Sequence, residues 1–467
     1  MTAARASQDD KWTLPYLRFW IISLGTLASS VNHSCVYAYN FASICGVESG
    51  ADNEGIYQNN SRHSPIMYFS TAIDSINYSM FSVGLVIALG YLIVRPMKIS
   101  TRNQILVATA ILTVSTALIP PLYDIWPQST PILKFIQGVV RAPAMPLIGV
   151  IVAHWTPINE IGFAVGVMTS FSQLGIFLAM APAGFLCEYA GWRSIFYFNA
   201  GLAGLTTLLW AQLFRDYPEG HPLISQSELA IITEHKKDDV KREPVPYRSF
   251  FSDRSIWAIL IAAVGNHNGT TPLILYAAVI FKKAIGLTDM ETSFFNSTTT
   301  TLQLATKILS GVISDRWTSA GESFKTRFFN AISSGLCGVL MIALAFLPVS
   351  NKILCASVLA GTKAFVGFNS AGYYKAAMIV AKQHSHFIIT IIGFIACVSS
   401  LMEPFLVWAL APESTWDQWF WLLIIHGVIL IGSEVIFCSM IRTQPAHFTK
   451  KPVGPYKIAP EEPTSSL

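Results

Sequence analysis

The chain has 467 residues, of which 52% are hydrophobic and only 12% are charged, and its mean hydropathy is +0.48. Soluble globular chains carry about 25% charged residues, so this composition excludes an ordinary water-soluble fold. The formal net charge of +4 needs no nucleic-acid partner to explain it, because basic loops are a normal feature of membrane proteins. We expect the lipid bilayer to be the main partner of this chain.

Apolar runs recur from one end of the chain to the other, each near the length of about 20 residues that crosses a bilayer as a helix. They predict twelve helices, near residues 17–42, 70–93, 103–122, 131–154, 161–187, 193–214, 255–284, 291–315, 326–348, 352–381, 386–412 and 416–441. The longest polar stretch separates the sixth run from the seventh. This pattern predicts an all-α polytopic membrane protein built from two six-helix bundles.

The chain then divides into a tail, a bundle, a linker, a second bundle and a second tail. These segments span 1–16, 17–214, 215–254, 255–441 and 442–467. Lys and Arg concentrate in both tails, in the linker and in alternate loops, and basic loops stay in the cytosol during insertion. We therefore predict that both tails and the linker are cytosolic. The first apolar run is too long for a cleavable signal peptide and is expected to remain as the first helix.

The opposite, non-cytosolic side receives the first loop, roughly 43–69. Asn59 begins the triplet Asn59-Asn60-Ser61 there and is a candidate glycosylation site. The seven cysteines are scattered without the spacing of a metal site. We expect them to serve packing, and we expect no metal and no cofactor.

A short motif recurs at equivalent places in the two halves. Gly90 to Arg95 follows the second predicted helix, and Gly311 to Arg316 follows the eighth. The second copy includes Asp315, whereas the first copy has no acidic residue. The repeat supports two related halves, although a Gly and an Arg could simply end each helix.

Several stretches, taken in chain order, resemble one transporter family. They are Gln137-Gly138, His154-Trp155-Thr156-Pro157, Ser172-Gln173-Leu174-Gly175, Gly191-Trp192, Asp216-Tyr217-Pro218, Val245-Pro246-Tyr247-Arg248-Ser249 and Phe368-Asn369-Ser370-Ala371-Gly372-Tyr373-Tyr374-Lys375. They resemble the sialin, vesicular glutamate and type I sodium-phosphate transporter family of the major facilitator superfamily, the last stretch as it stands in the invertebrate branches. The resemblance implies transport of a small anion, coupled to protons, to sodium or to voltage. It also implies a plasma, endolysosomal or vesicular membrane.

The departures from that family concern the charged residues of its pathway. The first helix has no arginine between 31 and 42, Lys134 stands at the place of an arginine, and Arg141 stands at the place of the proton-coupling glutamate. Asn266, beside His267, replaces an arginine of the glutamate branch. We therefore expect an organic anion or inorganic phosphate, with no closer identity. Because a guanidinium stays charged, we expect weak or absent proton coupling, with transport driven mainly by the anion gradient and the membrane voltage. Glu403 and His267 are the nearest substitutes for the proton site.

Cations near mid-membrane are expected to face the pathway, since a lipid-facing charge costs at least about 2.5–3.5 kcal/mol. At 1.5 Å per residue, Arg141 and Lys363 lie roughly 15–16 Å from the outer starts of their helices, and Lys307 roughly 12 Å from the inner end of its helix. The candidate substrate-binding residues are Arg141, Lys363, Lys307, Asn266, His267, Tyr37 and Asn369.

Structural roles compete with these assignments. Lys307 could pair with Glu403 and serve only packing. Lys134, Lys375 and Glu434 lie close enough to helix ends to extend their charges to the bilayer surface.

No nucleotide-binding loop, metal-binding triplet or nucleophile elbow is present, so the sequence does not indicate an enzyme. The function we expect is secondary active or facilitative transport by alternating access. The alternative is a family member that has lost transport and acts as a receptor, scaffold or ion-leak pathway. The missing first-helix arginine and fourth-helix glutamate favour that alternative.

Overall fold

The computed structural model describes residues 16–45, 71–94, 100–157, 160–233 and 246–449. Within these ranges every regular element is helical. Asn59, most of the first loop and the charged part of the linker lie outside the described residues, so the glycosylation prediction stays a prediction.

The first half of the chain contributes nine helices to the described residues. They are α1 (Leu17–Ala42), α2 (Thr71–Val94), α3 (Thr101–Ile125), α4 (Ser129–Arg141), α5 (Ala144–Trp155), α6 (Ile161–Thr169), α7 (Phe171–Met180), α8 (Ala183–Ala190) and α9 (Trp192–Leu213). Two short helices lie in the linker, α10 (Gln226–Thr233) and α11 (Tyr247–Ser252).

The second half follows the same plan. Its helices are α12 (Arg254–Leu275), α13 (Ala277–Val279), α14 (Asp289–Arg316), α15 (Glu322–Asn330), α16 (Cys337–Ala345), α17 (Lys352–Phe365), α18 (Tyr373–Ala381), α19 (Ser385–Leu410) and α20 (Trp416–Met440). A wider π turn ends the helical run after α13 at Ile280–Ala284, another joins α15 to α16 at Ala331–Leu336, and a 3₁₀ turn follows α17 at Val366–Ser370.

Eight helical segments of the described chain are long and apolar enough to cross a membrane. They coincide with eight of the predicted runs. The other four predicted runs are also helical, as α1, α4 with α5, α12 and α14. α12 and α14 carry polar side chains such as Asn266, Asn296 and Thr300 that are buried against other helices rather than facing lipid. α4 and α5, with 13 and 12 residues, are each too short to cross a membrane alone. The all-α, multi-pass class is confirmed, and the twelve predicted runs are consistent with it.

Glycine allows close packing at corresponding places in the two halves. A Cβ on Gly138 of α4 would lie 2.0 Å from the carbonyl oxygen of Phe81 in α2. In the second half a Cβ on Gly367 would lie 2.5 Å from the carbonyl oxygen of Gln303 in α14. Small residues at such crossings allow membrane helices to approach backbone to backbone.

One expectation about the cysteines is wrong. Cys45, just after α1, and Cys187 in α8 form a disulfide with a Cα–Cα distance of 5.8 Å. The other five cysteines are free and buried or half-buried. Both bonded residues lie at the end of the molecule opposite Leu17, the start of α1, and Met440, the end of α20. We call this the outer end. A disulfide there agrees with the predicted non-cytosolic side, where the environment is oxidising.

The linker docks on the opposite, inner end of α1. Glu228 of α10 accepts hydrogen bonds from the backbone N–H of Leu17 (2.9 Å) and of Arg18 (3.1 Å) and pairs with the Arg18 guanidinium (3.2 Å). Arg18 also pairs with Glu160 at 2.9 Å. A carboxylate at a helix N-terminus satisfies its open N–H groups and matches the helix dipole. The linker residue Glu228 therefore holds the start of the first helix.

The second copy of the repeated motif forms a charged contact at the inner end. Lys375 of α18 pairs with Asp315 at 2.8 Å and with Glu322 at 3.3 Å. Lys375 thus reaches its helix end, in agreement with the expectation from sequence. The corresponding Arg95 of the first copy lies outside the described residues.

The two halves meet along α14 with α7 and α8, and along α19 with α2. At the outer end, the amide of Asn40 in α1 donates to the carbonyl of Leu275 in α12 at 3.0 Å. The hydroxyl of Ser293 in α14 donates to the carbonyl of Met180 in α7. These contacts join the bundles at the outer end of the molecule.

We predict that Gly138→Ala destabilises the protein by about 1–3 kcal/mol, because the new methyl group would force α2 and α4 apart. Thermal unfolding of the purified protein in detergent measures the change. Gly201→Ala in α9 is the matched control, since a Cβ there meets nothing within 4 Å, and Ala alone favours a helix by up to about 1 kcal/mol. Equal melting temperatures for the two variants would contradict the close approach of α2 and α4.

Candidate functional site

Arg141 ends α4 inside the first bundle, and its side chain is buried, with 8% of the residue exposed. Its guanidinium carbon lies 4.6 Å from the ring centroid of Phe171 in α7. His33 and Tyr37 of α1 complete the surroundings: the His33 ring lies 5.5 Å from Phe171 and 4.6 Å from Tyr37. Among the described residues Arg141 has no carboxylate partner, and its Nε has no hydrogen-bond acceptor. Within the described part of the chain, this cation is therefore packed against the Phe171 ring and has no carboxylate that balances its charge.

The same residue faces both a cavity and the second bundle. A cavity of about 20 Å³ is lined by Arg141, by Asn32 and Ser29 of α1, and by residues of α3 and α5. This volume holds about one water molecule. Cys397 of α19 is close enough to interact electrostatically with Arg141. The Arg141 guanidinium thus lies where the two bundles approach each other.

Asn266 of α12 is the centre of a neutral polar cluster in the second bundle and is 1% exposed. Its side-chain oxygen accepts hydrogen bonds from the Asn369 amide (3.2 Å) and the Tyr373 hydroxyl (3.5 Å). Its amide donates to the hydroxyls of Ser333 and Ser334 at 3.4 and 3.3 Å. The structure therefore brings two predicted site residues, Asn266 and Asn369, into contact.

His267, the neighbour of Asn266, joins the same cluster. Its Nε2 lies 3.4 Å from the Tyr373 hydroxyl, which also reaches Asn266. Tyr373 was not among the sequence candidates, although it lies within the stretch that carried the family resemblance.

Lys363 and Lys307 lie apart from Arg141. The Lys363 ammonium donates to Asn296 (2.9 Å) and Thr300 (3.3 Å) of α14, so it is held inside the second bundle. The Lys307 ammonium donates to the carbonyl of Thr169 at 3.4 Å, which links α14 to the end of α6 across the two bundles. Both cations have neutral partners.

The suggested Lys307–Glu403 pair is wrong. Glu403 of α19 is 3% exposed and contacts Nε2 of His426 in α20 at 3.1 Å. Nδ1 of His426 lies 2.7 Å from the carbonyl of Leu422, and a carbonyl only accepts, so Nδ1 carries a hydrogen. A hydrogen bond between Nε2 of His426 and the Glu403 carboxyl then requires one more proton, which lies on one of these two groups. In either case the net charge of the pair is zero. Glu403 faces α20 and not α14, a rotation that hydropathy does not reveal.

Two residues expected to extend towards the bilayer surface are instead buried. Lys134 is 2% exposed; its ammonium donates to the carbonyl of Val36 at 2.7 Å and lies 4.9 Å from the Tyr39 ring centroid. Glu434 accepts hydrogen bonds from the Asn330 amide and the Cys438 thiol. Each finds polar partners inside the protein, which is cheaper than exposing the charge to lipid.

Asp74 of α2, which is 7% exposed, was not among the site residues predicted from the sequence. The Tyr39 hydroxyl donates to it at 2.6 Å, and the Asn77 amide donates to the Tyr39 oxygen at 2.7 Å. The sequence does contain a feature that could have identified it, since Asp74 is the one acidic residue between Thr71 and Val94. An ionisable residue inside a membrane helix is a functional candidate by default.

Comparison with known proteins agrees with this architecture. The model of the Major Facilitator Superfamily matches residues 63–404. The chain belongs to the Major Facilitator Superfamily.

Similar superfamily members include human sialin, which is 23% identical over 337 residues covering 71% of this chain and 67% of that protein. Human sodium-dependent phosphate transport protein 1 is 25% identical over 333 residues covering 69% of this chain and 71% of that protein. A putative inorganic phosphate cotransporter of Drosophila melanogaster is 24% identical over 289 residues, covering 58% of this chain and 53% of that protein. The family resemblance found in the sequence is therefore confirmed.

Solved structures of the superfamily share the fold. A bacterial homologue of the human lysosomal transporter Spinster, in an inward-facing unoccupied conformation, aligns with a TM-score of 0.64 at 12% identity, covering 92% of this chain and 98% of that chain. A D-xylose–proton symporter aligns with the same score, identity and coverage. The chain is thus a multi-pass membrane protein with the fold of this superfamily.

The Glu403–His426 pair yields a stability prediction. His426→Leu leaves the buried Glu403 carboxyl without its partner and should lower the free energy of unfolding by about 1–3 kcal/mol. Glu403→Gln should cost less, because the glutamine amide can donate to Nε2 of a neutral His426. Chemical or thermal unfolding in detergent compares the two variants. An equal or larger loss in Glu403→Gln would contradict the pairing described here.

Proposed function

We propose that this chain is a secondary transporter that moves a small anion, either an organic anion or inorganic phosphate, by alternating access. The two bundles would rock against each other around a site between them, so that the site opens to one side of the membrane at a time. Both tails and the linker would face the cytosol.

The state of Arg141 carries this proposal. A charge taken out of water costs several kcal/mol unless it is paired, yet Arg141 is buried against Phe171 with no carboxylate partner among the described residues. An anionic ligand would supply the missing partner through charge-assisted hydrogen bonds, which are about twice as strong as neutral ones.

The other cations of the bundle interior strengthen the positive potential. Among the described residues, Lys307 and Lys363 also bond to neutral oxygens and to no carboxylate. Of the buried acids, Glu403 pairs with His426. Glu434 and Asp74 are held by neutral side chains, and the four interior cations Lys134, Arg141, Lys307 and Lys363 outnumber them. The pathway is thus left with positive charge and favours an anion over a cation or a neutral sugar.

The Asn266 cluster would provide the neutral part of the site. Asn369, His267 and Tyr373 surround Asn266 with groups that can both donate and accept. Such groups fix the orientation of a ligand whose charge is held elsewhere. Tyr37, beside His33 and near Arg141, would contribute from the first bundle.

The printed names of the relatives agree with an anion. Two similar proteins are named for phosphate transport, and this supports the substrate class without fixing the substrate. A plasma, endolysosomal or vesicular membrane is compatible with these relatives.

We predict that Arg141→Met lowers anion counterflow roughly 10- to 100-fold, since charged hydrogen bonds contribute about 1.5–3 kcal/mol. The assay uses the purified protein in lipid vesicles with radiolabelled inorganic phosphate and, in parallel, a radiolabelled monocarboxylate.

Arg193→Met is the matched control, because Arg193 pairs with the half-exposed Asp124 at the outer end, away from the pathway. It should keep counterflow near the unmodified level. A folded, unmodified protein that moved neither anion, or moved only cations or sugars, would contradict the proposed function and favour a member without transport.

A further inference from the structure

Asp74 is buried at the outer end of the first bundle without an ion pair among the described residues. Its carboxylate accepts a hydrogen bond from Tyr39 at 2.6 Å, and Tyr39 accepts one from Asn77 at 2.7 Å. None of the functions proposed above uses this group. A carboxyl held by a hydroxyl, which can either donate or accept, can exist with or without a proton.

The second bundle covers this group. The rings of Tyr39 and Tyr78 lie 5.6 Å apart, and the Tyr78 ring lies 5.1 Å from Tyr276 of the second bundle. Beside them Asn40 donates to the carbonyl of Leu275. We call these five residues the outer seam. Tyr276 is close enough to interact electrostatically with Asp74, so separation of the bundles at the seam would admit water to the carboxyl.

The other titratable groups that face Asp74 differ in their effect on its protonation. Tyr39, Tyr78 and Tyr276 are neutral phenols, and Lys283 of the second bundle acts on Asp74 electrostatically. Lys134 lies on the face of the Tyr39 ring, at 4.9 Å from its centroid. Lys283 favours the carboxylate, whereas the loss of hydration that accompanies closing of the seam favours the neutral acid.

We propose that Asp74 is a proton-binding site of the outer seam, and that protonation from the outer aqueous side stabilises the closed seam. A proton from water adds to the carboxylate and gives the neutral acid, and no other bond changes. The acid can then donate to the Tyr39 oxygen, whose own hydroxyl hydrogen turns away. The site sets the pH dependence of closing and need not carry the proton across. This inference rests on the alternating access of the proposed function.

The direction of the effect follows from linkage. Only the closed seam removes Asp74 from water, so the closed form binds the proton more tightly than the open form. Lowering the pH must then raise the closed-to-open ratio, by at most about tenfold per pH unit for one proton.

Distance measurement between spin labels tests the proposal without a substrate. The labels are placed at the outer ends of the two halves, on the exposed positions Ile125 of α3 and Phe346, just after α16. As the pH falls from about 7.5 to about 5.5, the short-distance, closed population should grow. Asp74→Asn should be closed at every pH, with the response lost.

Asp417→Asn, at an exposed position at the outer end of α20, is the matched control and should keep the unmodified response. Tyr39→Phe is a second variant that retains the ring. It removes a hydrogen bond from both protonation states, but the bond to the carboxylate is the stronger one because it is charge-assisted. The midpoint of closing should therefore move to higher pH by about one unit.

A response retained in Asp74→Asn, a midpoint unchanged or lowered in Tyr39→Phe, or an unmodified protein that closes independently of pH would each overturn the Asp74 assignment. If closing depends on pH as expected but neither anion moves in vesicles, the proposed substrate class fails and the Asp74 site stands. If anions move but closing does not depend on pH, the Asp74 proposal fails and the proposed substrate class stands.

Discussion

The cost of placing charge inside a bilayer determines how this structure is arranged. Lys134, Arg141 and Lys363 are all at least nine-tenths buried, and each contacts an aromatic ring, a carbonyl or a neutral side chain. Neutral partners lower the cost of burial without cancelling the charge. These buried cations are therefore held where lipid cannot reach them, and under the proposed function the same arrangement would make the pathway attractive to anions.

Much of the fold could be predicted from the sequence, because hydropathy over about 20 residues reports directly on membrane crossing. The breaks within the helical runs and the contacts between distant residues could not be predicted in this way. The run predicted at 131–154 is broken between α4 and α5 at Pro143, which lacks an N–H group. The Cys45–Cys187 disulfide joins residues 142 positions apart, and only the packing of α1 against the fifth run brings them together. Such contacts depend on tertiary structure and leave no local pattern.

The candidate site was predicted in part, and the failures share one physical cause. The charge of Arg141 and the position of Asn266 could be read from residue type and depth alone. The partner of Glu403 could not, because depth does not fix which face of α19 it occupies, and the structure turns it towards His426. Asp74 was not predicted, and residue type and depth do not show that its partner Tyr39 holds it inside the protein.

The two halves share a fold but divide the chemistry between them. In the first half the polar groups next to the interface surround one guanidinium, Arg141. In the second half they form a neutral cluster around Asn266. A ligand that engaged both would have its charge neutralised on one bundle and its remaining hydrogen bonds made on the other. Its binding energy would then depend on the distance between the bundles. Conformational change can be driven only by such a difference in binding between states, and a site divided in this way provides one.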